Sequence, residues 1–202
     1  TVRSRAQTLA PGGAVSLGAN LAAGLMPGTV SARVTVTAQP PIPFARALQD
    51  LLDSPYGCVE QTTTRGYAAL LLDTDSAQRM GFPGLDADTR RQRLEQAFSR
   101  LAALQAPNGH FSMWGGSDTM PILTPYIAEF LLGAREAGFA VPETLLQKSL
   151  ERLSEDLLTG GVPFYAYDSA DHLRLAYQAH AGYVLAKVNR APLGTLRALY
   201  DN

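Results

Sequence analysis

The interpretation of this chain starts from one stretch, Ser54-Pro55-Tyr56-Gly57-Cys58-Val59-Glu60-Gln61-Thr62-Thr63-Thr64. Ser followed by Pro is a common helix start, because the Ser side chain caps free N–H groups and Pro fits the first turn. We therefore predict a helix over about 55–73, with Cys58 in its first turn, where the helix dipole favours thiolate over thiol. Cys58 and Gln61 are three residues apart, which places both side chains on one helix face within contact distance.

This spacing permits a specific reaction between the two side chains. The sulfur of Cys58 can attack the carboxamide carbon of Gln61, expel ammonia and close an internal thioester. Such an acyl group is activated towards amines and alcohols, and it persists only where water is excluded. The competing interpretation is simple packing, with Cys58 as a small buried hydrophobic residue and Gln61 as a surface residue, because free Cys is among the most buried residue types.

The residues around the pair favour the thioester. The run Gly57-Cys58-Val59-Glu60-Gln61 resembles the Cys-x-Glu-Gln motif of the alpha-2-macroglobulin and complement family, and 55–62 resembles its bacterial branch in particular. The candidate site is therefore the cross-linked pair Cys58 and Gln61, with Gly57, Glu60 and Tyr56 as motif support. Tyr56 is a candidate shield over the thioester, and a plain core tyrosine is an equally good interpretation of it.

The resemblance extends from about Pro43 to the end of the chain. Residues 105–114 look like the Gln-x-x-x-Gly-x-Phe-x-x-Trp turn of α/α-toroid proteins, and 124–131, 178–186 and 191–197 are similar to bacterial alpha-2-macroglobulins. We interpret the turn as scaffold. In it we expect a positive φ at Gly109, core packing by Phe111 and Trp114, and a Gln105 amide that satisfies helix-end groups.

The chain changes texture near residue 41. Apolar residues alternate with small or polar ones around 15–21 and 30–36, which predicts two strands of a half-buried sheet. From residue 43 onward the spacing predicts helices near 43–53, 55–73, 86–106, 121–138, 142–158, 170–189 and 192–201. Of these, 88–98 is expected to face solvent, with 90–95 as a mixed charged surface, and the uncharged 176–186 to be nearly enclosed.

The predicted fold class is mainly α. The resemblance implies a partial α/α toroid, the thioester domain, over 42–202, which is shorter than the family's toroid and lacks its last helices. It also implies that residues 1–41 are strands of an incomplete CUB-type domain, into which the family's thioester domain is inserted.

Composition excludes several classes of function. The net charge of −1, with charged residues at 17%, argues against a nucleic-acid binder, and 46% hydrophobic residues argue against disorder. The single cysteine excludes an intrachain disulfide framework and every multi-cysteine metal site. No cofactor or metal is expected.

The resemblance implies a protease inhibitor that acts by single-use covalent acylation, not an enzyme. In this interpretation a protease cleaves a bait region elsewhere, and the exposed thioester acylates lysine amines of the attacker. The family also implies a periplasmic protein, anchored to the inner membrane through a lipid outside this chain. Cooperation with penicillin-binding protein 1C is a further implication.

Three other interpretations stay open. An α/α-toroid enzyme of the prenyltransferase or terpene-cyclase kind would need a metal cluster or an acidic box, for which Asp73-x-Asp75 is a poor match. A cysteine hydrolase would pair Cys58 with His172 or His180, either of which is also a candidate for assisting acyl transfer. The third is an interaction module with an inactive thioester. For all three histidines, including His110, we expect a packed or solvated side chain without a chemical role.

Overall fold

The structure is a computed structural model that describes residues 5–16, 18, 22–32, 34, 36, 45–53, 57–79, 85–160 and 171–201. The chain divides into two compact units, Thr1–Val36 and Thr37–Asn202. The predicted domain boundary at 41/42 and the CUB-type and toroid assignments stay predictions. No helix in the described part of the chain combines the length and the apolar character needed to cross a membrane.

The first unit lacks the strands that its alternating sequence predicts, as far as it is described. Positions 17, 19–21, 33 and 35 lie outside the described residues, and the described positions between 5 and 36 form turns and extended chain without a strand. The side chains of Val15, Val30 and Val34 are exposed. A strand is stable only when it is hydrogen-bonded to a neighbouring strand and its apolar face is covered. The described residues of the first unit provide neither the neighbouring strand nor the cover for one another.

The second unit is helical, which confirms the mainly α class. Its described residues form eight α-helices: α1 Ala45–Asp53, α2 Val59–Leu71, α3 Thr74–Arg79, α4 Ala87–Leu104, α5 Thr124–Glu136, α6 Glu143–Thr159, α7 Asp171–Lys187 and α8 Leu193–Asp201. A single 3₁₀ turn, Pro121–Leu123, leads into α5. The described strand-like pairings in this unit are isolated bridges, such as Gln105 with Phe111.

Helix α3 is absent from the sequence-based prediction. Its first turn is stabilised by Asp73, whose carboxylate accepts a hydrogen bond of 2.7 Å from the N–H of Ser76. This is the usual arrangement of an acidic N-cap. The helix is only six residues long, too short for a clear apolar periodicity, and the carboxylate of Asp73 that we considered as part of an acidic box therefore has a structural role.

Helix α2 packs against α1, α4 and α5, and α5 packs in turn against α6 and α7. The contact between α2 and α5 is close because Gly66 has no side chain: a Cβ built there would overlap the ring of the buried Phe130. Phe130 also contacts the rings of Tyr67 and Phe98, which joins α2, α4 and α5 in one aromatic cluster. The position of the N-terminus of α2 therefore depends on these three helices.

Helix α7 is less enclosed than its uncharged sequence predicts. Tyr177, Ala181, Val184 and Leu185 are buried against the core, as expected for an inner face. On the opposite face, however, the side chain of Tyr183 is 53% exposed. The prediction treated lack of charge as equivalent to burial, whereas the described helices cover only one side of α7.

The turn over 105–119 confirms two of its four expected features, since Gly109 has a φ of 89° and Phe111 is buried. The amide of Gln105 donates to the carbonyl of Leu145 and the hydroxyl of Ser149, at 3.0 Å each. Both acceptors lie in the first two turns of α6, where carbonyls bond within the helix, so the amide joins the turn to α6 and does not satisfy helix-end groups. The expectation for Trp114 is also wrong, because it is 63% exposed. The backbone reverses at Gly115, whose N–H donates to Ser112, so Trp114 lies at the tip of the turn and not under the core.

A buried ionic network joins the 105–119 turn to α5, α6 and α7. Asp156 of α6 accepts a hydrogen bond from the hydroxyl of Tyr177, pairs with Arg152 at 2.5 Å and lies 3.4 Å from Nε2 of His110. The other ring nitrogen of His110 is 2.9 Å from the hydroxyl of Thr124. Burial lowers the pKa of His110 despite the neighbouring carboxylate, and Arg152 lowers it further. His110 is thus a packed histidine, and the folded protein is more stable when this side chain is neutral.

Gly66→Ala tests the contact between α2 and α5. We expect the added methyl group to collide with Phe130 and lower the free energy of unfolding by about 1–3 kcal/mol, although Ala otherwise favours a helix over Gly by about 1 kcal/mol. The matched control is Gly133→Ala on α5, whose Cβ would meet Leu70 at an ordinary 3.6 Å. Urea unfolding of both variants measures the difference. Equal stabilities would contradict the close contact.

His110 also makes stability depend on pH. Its folded-state pKa lies below the ordinary value of 6.5, so its contribution is fully present above that pH and is lost as the pH falls further. We expect the urea midpoint to fall from pH 7.5 to 5.5 more steeply in the parent protein than in His110→Gln. His172→Asn, which changes an exposed histidine, should keep the parent slope. A parent slope in His110→Gln would show that other groups cause the loss.

Candidate functional site

The described structure places Cys58 at the N-cap of α2 and not within its first turn. Cys58 has an extended backbone, with φ −66° and ψ 162°, and the helix begins at Val59. The predicted start at Pro55 is therefore wrong, while Ser54, Pro55 and Tyr56 themselves lie outside the described residues. The physical reason is that Cys58 takes the capping position: its sulfur accepts a hydrogen bond of 3.4 Å from the N–H of Gln61.

The structure brings the two halves of the predicted pair together. The hydrogen bond from the backbone of Gln61 to the sulfur of Cys58 holds the thiol beside the residue whose carboxamide carbon it would attack. Cys58 is only 5% exposed, so bulk water has little access to its sulfur. An N-cap sulfur also lies at the positive end of the helix dipole, which stabilises developing negative charge.

The backbone on both sides of Cys58 is fixed by other elements. The N–H of Val59 donates to the carbonyl of Met113 at 3.0 Å, which ties the start of α2 to the 105–119 turn. On the other side, Nε of Arg100 on α4 donates to the carbonyl of Gly57 at 3.1 Å. Cys58 is thus held between two hydrogen bonds from separate parts of the fold.

Two polar atoms near the thiol are buried and find no hydrogen-bond partner in the described part of the chain: the amide oxygen of Gln61 and the hydroxyl of Thr62. An unsatisfied buried polar group costs about 1–3 kcal/mol, so a pair of them on adjacent residues needs a reason. Neighbouring threonines on α2 do not share this property. The hydroxyl of Thr63 donates to Val59, and that of Thr64 donates to Glu60 and lies 3.1 Å from the hydroxyl of Tyr126.

The remaining motif residues have modest roles in the structure. Glu60 is exposed in the first turn of α2, where a carboxylate complements the helix dipole. The carbonyl of Gly57 is the acceptor for Arg100, and its Cα is close to that side chain, with a built Cβ 3.8 Å from Nε.

Arginines of α4 hold the helices around the site, which corrects the prediction of a mixed solvated surface at 90–95. Arg90 donates to the carbonyls of Ala69 and Leu70, at 3.0 and 2.7 Å, and Arg93 donates to that of Leu52 at 2.7 Å. These carbonyls lie in the last turns of α2 and α1, where acceptors lack partners within the helix. Arg91 alone fits the prediction, being exposed and paired with Asp88 and Glu95.

Neither of the two candidate histidines of α7 has a recorded hydrogen bond to Cys58. Nε2 of His180 lies 2.8 Å from the carboxylate of Glu129, linking α7 to α5, while His172 is exposed in the first turn of α7. A cysteine hydrolase needs its base within hydrogen-bond reach of the thiol. In the described residues, the recorded hydrogen bond to the sulfur of Cys58 comes from the backbone of Gln61. The same residues contain no group of three or more His, Cys, Asp or Glu side chains that could hold a metal ion.

Sequence reasoning missed Arg100, Met113 and Thr62 as contributors to this site. Arg100 lies 43 positions from Gly57, and Met113 contributes a backbone carbonyl, so neither has a local sequence signal. Thr62 does have one, because it lies four residues after Cys58 and therefore on the same side of the helix.

Comparison with curated proteins finds relatives that share one name. The chain is 59% identical to the alpha-2-macroglobulin of Xylella fastidiosa strain Temecula1 over 183 residues, which is 90% of this chain and 11% of the relative. It is 32% identical to that of Escherichia coli K12 over 196 residues, 96% of this chain and 12% of the relative. The chain thus spans about a tenth of the length of these relatives. No protein-family model matches it.

Solved structures lead to the same family. The native Escherichia coli alpha-2-macroglobulin fragment from domain MG7 to the C-terminus matches 82% of this chain and 26% of its own, with a TM-score of 0.72 and 34% identity. Salmonella alpha-2-macroglobulin reacted with methylamine matches 82% of this chain and 11% of its own, with a TM-score of 0.73 and 35% identity. The trypsin-activated Escherichia coli protein matches 73% of this chain and 10% of its own, with a TM-score of 0.66 and 34% identity.

Proposed function

Because the chain belongs to the alpha-2-macroglobulin family, we propose that it carries the internal thioester of a protein that traps proteases covalently. The observation that supports this proposal most is the placement of Cys58 and Gln61. The thiol is buried, it caps the helix on which Gln61 lies, and the side-chain oxygen of Gln61 is buried without a partner.

Formation of the thioester requires no cofactor. The sulfur of Cys58 adds to the amide carbon of Gln61, the C–N bond breaks, and ammonia leaves with the thiol proton while the C–S bond forms. The amine of a target lysine later attacks the same carbon. The C–S bond then breaks, an amide forms, and the proton of the amine returns to the sulfur of Cys58.

The site is arranged to keep this acyl group until it is needed. Burial of Cys58 limits hydrolysis of the thioester. The hydrogen bonds from Arg100 to the carbonyl of Gly57 and from the N–H of Val59 to Met113 keep the sulfur in place. A rearrangement that moves α4 or the 105–119 turn would expose the bond. In the proposed mechanism, cleavage of a bait region outside this chain causes that movement, and the reaction occurs once per molecule.

Two of the solved relatives support this chemistry for the family. The Salmonella protein was crystallised after reaction with methylamine, a small amine, and an Escherichia coli structure is described as activated by trypsin. We extend both to this chain as proposals. We also propose that its helices form part of an α/α toroid beside a CUB-type domain, that the protein acts in the periplasm from a lipid anchor, and that penicillin-binding protein 1C is a partner.

Intact-mass measurement tests the thioester directly. We expect the protein to be lighter by about 17 Da than its sequence mass, which is the ammonia expelled when the bond forms. Methylamine should add to Gln61 and release one thiol, detected by a chromogenic disulfide reagent. Cys58→Ala should show the unmodified mass and no reaction with methylamine.

An unmodified mass and a freely titratable thiol in freshly prepared protein would contradict the thioester. The chain would then be an interaction module with an inactive motif, the alternative that shares this fold. Gln61→Ala provides a second control, because it keeps the thiol but removes the acyl carbon.

Incubation with trypsin tests the trap. We expect a covalent conjugate of protein and protease that survives boiling in detergent and forms with the parent protein but not with Cys58→Ala, because only the parent carries an electrophile. Trypsin with reductively methylated lysines should give less conjugate. Equal conjugate with both proteases would show that lysine amines are not the acceptors.

A further inference from the structure

The unpaired hydroxyl of Thr62 is a feature of the site that the thioester itself does not explain. Its side chain is 3% exposed, and its oxygen has no hydrogen-bond partner among the described residues. Thr in a helix usually donates to the carbonyl four residues earlier, as Thr63 does to Val59 and Thr64 does to Glu60. The hydroxyl of Thr62 does not make this bond, so a hydrogen-bond donor next to Cys58 and Gln61 is left unsatisfied.

The helix geometry places this donor where charge would develop. Successive residues are about 100° apart around an α-helix, so Cys58 lies between Gln61 and Thr62 in projection, one turn towards the N-terminus. When the side chain of Gln61 bends back to reach the sulfur, its carbonyl moves towards the side of the helix that Thr62 occupies. The unpaired acceptor and the unpaired donor are then neighbours.

We propose that Thr62 is a catalytic residue of the thioester, whose hydroxyl donates a hydrogen bond to the acyl oxygen of Gln61 in the tetrahedral intermediate. This rests on the function proposed above. Attack on the acyl carbon by the thiol, or later by an amine, converts its carbonyl oxygen into an oxyanion. The backbone N–H of Gln61 is already bonded to the sulfur and that of Thr62 to the carbonyl of Cys58. The hydroxyl of Thr62 is therefore the side-chain donor available on the side of the helix towards which the carbonyl moves.

The arrangement assigns separate donors to the two atoms that gain negative charge. The N–H of Gln61 supports the sulfur as it leaves, and the hydroxyl of Thr62 supports the oxygen of the intermediate. The same pair serves formation and cleavage, since both pass through a tetrahedral carbon. Leaving the hydroxyl unpaired destabilises the resting protein, and the hydrogen bond that it then makes in the transition state lowers the barrier.

Thr62→Val tests the proposal, because Val preserves the shape of the side chain and removes only the hydroxyl. We expect two reactions to slow on the order of 100-fold: formation of the thioester and its cleavage by methylamine. Intact mass measures the first, and thiol release measures the second. Thr62→Ser should restore the rate. Stability should stay level or rise in Thr62→Val, because a buried unpaired group is removed.

Thr63→Val is the matched control. It removes a buried hydroxyl from the adjacent position, but one that is already bonded to the carbonyl of Val59. We expect it to leave both rates unchanged. A kinetic loss in Thr62→Val with no loss of stability, and the absence of any kinetic loss in Thr63→Val, would support the specific role of Thr62.

Three outcomes would overturn the proposal, and they differ in what else they contradict. If the parent protein carries a thioester and Thr62→Val forms and cleaves it at the parent rate, Thr62 is not catalytic while the thioester function stands. If the parent protein carries no thioester at all, both proposals fail together. An equal slowing in Thr62→Val and Thr63→Val would also overturn the role of Thr62, by assigning the effect to packing of α2.

Discussion

The hydrogen bond from the backbone of Gln61 to the sulfur of Cys58 is the interaction on which the site depends. It ends the extended chain, begins α2 and fixes the thiol beside the residue whose carboxamide carbon it would attack. The bond keeps its geometry because the flanking backbone is held by Arg100 on one side and Met113 on the other. Behind them, the close contact of Gly66 with Phe130 positions the whole of α2. Core packing therefore fixes the position of α2, and the position of α2 fixes that of the Cys58 sulfur.

The sequence was informative where periodicity and local chemistry decide the structure. Seven of the described helices fall near their predicted positions, and the short spacing of Cys58 and Gln61 identifies the pair without any tertiary information. The failures have two causes. The carbonyl contacts of Arg90 and Arg93 depend on residues distant in the chain. The start of α2 and the exposure of Trp114 depend on local bonds, a cysteine N-cap and the bond from Gly115 to Ser112, which the pattern of residue types did not single out. The strands predicted before residue 37 depend on pairing partners that local alternation cannot supply.

Buried polar groups are used in two opposite ways in this fold. Around Asp156, a positive charge, a hydroxyl and a histidine surround one carboxylate, and the network joins α6, α7 and the turn that precedes α5. In that network the carboxylate has three neighbours, although Nε of Arg152 finds no partner among the described residues. Around Cys58, the described residues offer no partner to the amide oxygen of Gln61 or to the hydroxyl of Thr62. A network whose members mostly bond one another serves rigidity. An unsaturated one retains unused donors and acceptors, which is the property that a reactive centre needs.

The restraints around Cys58 have one chemical property in common, which has a consequence for its behaviour in acid. The carbonyls of Gly57 and Met113 and the N–H of Val59 are backbone amide groups, which do not gain or lose protons in the mildly acidic range. The core around His110 does respond to acid, since its imidazole is held neutral by burial. His110 and Met113 lie in the same 105–119 turn, so acid reaches the site indirectly: protonation of His110 weakens the element whose Met113 carbonyl holds the N–H of Val59.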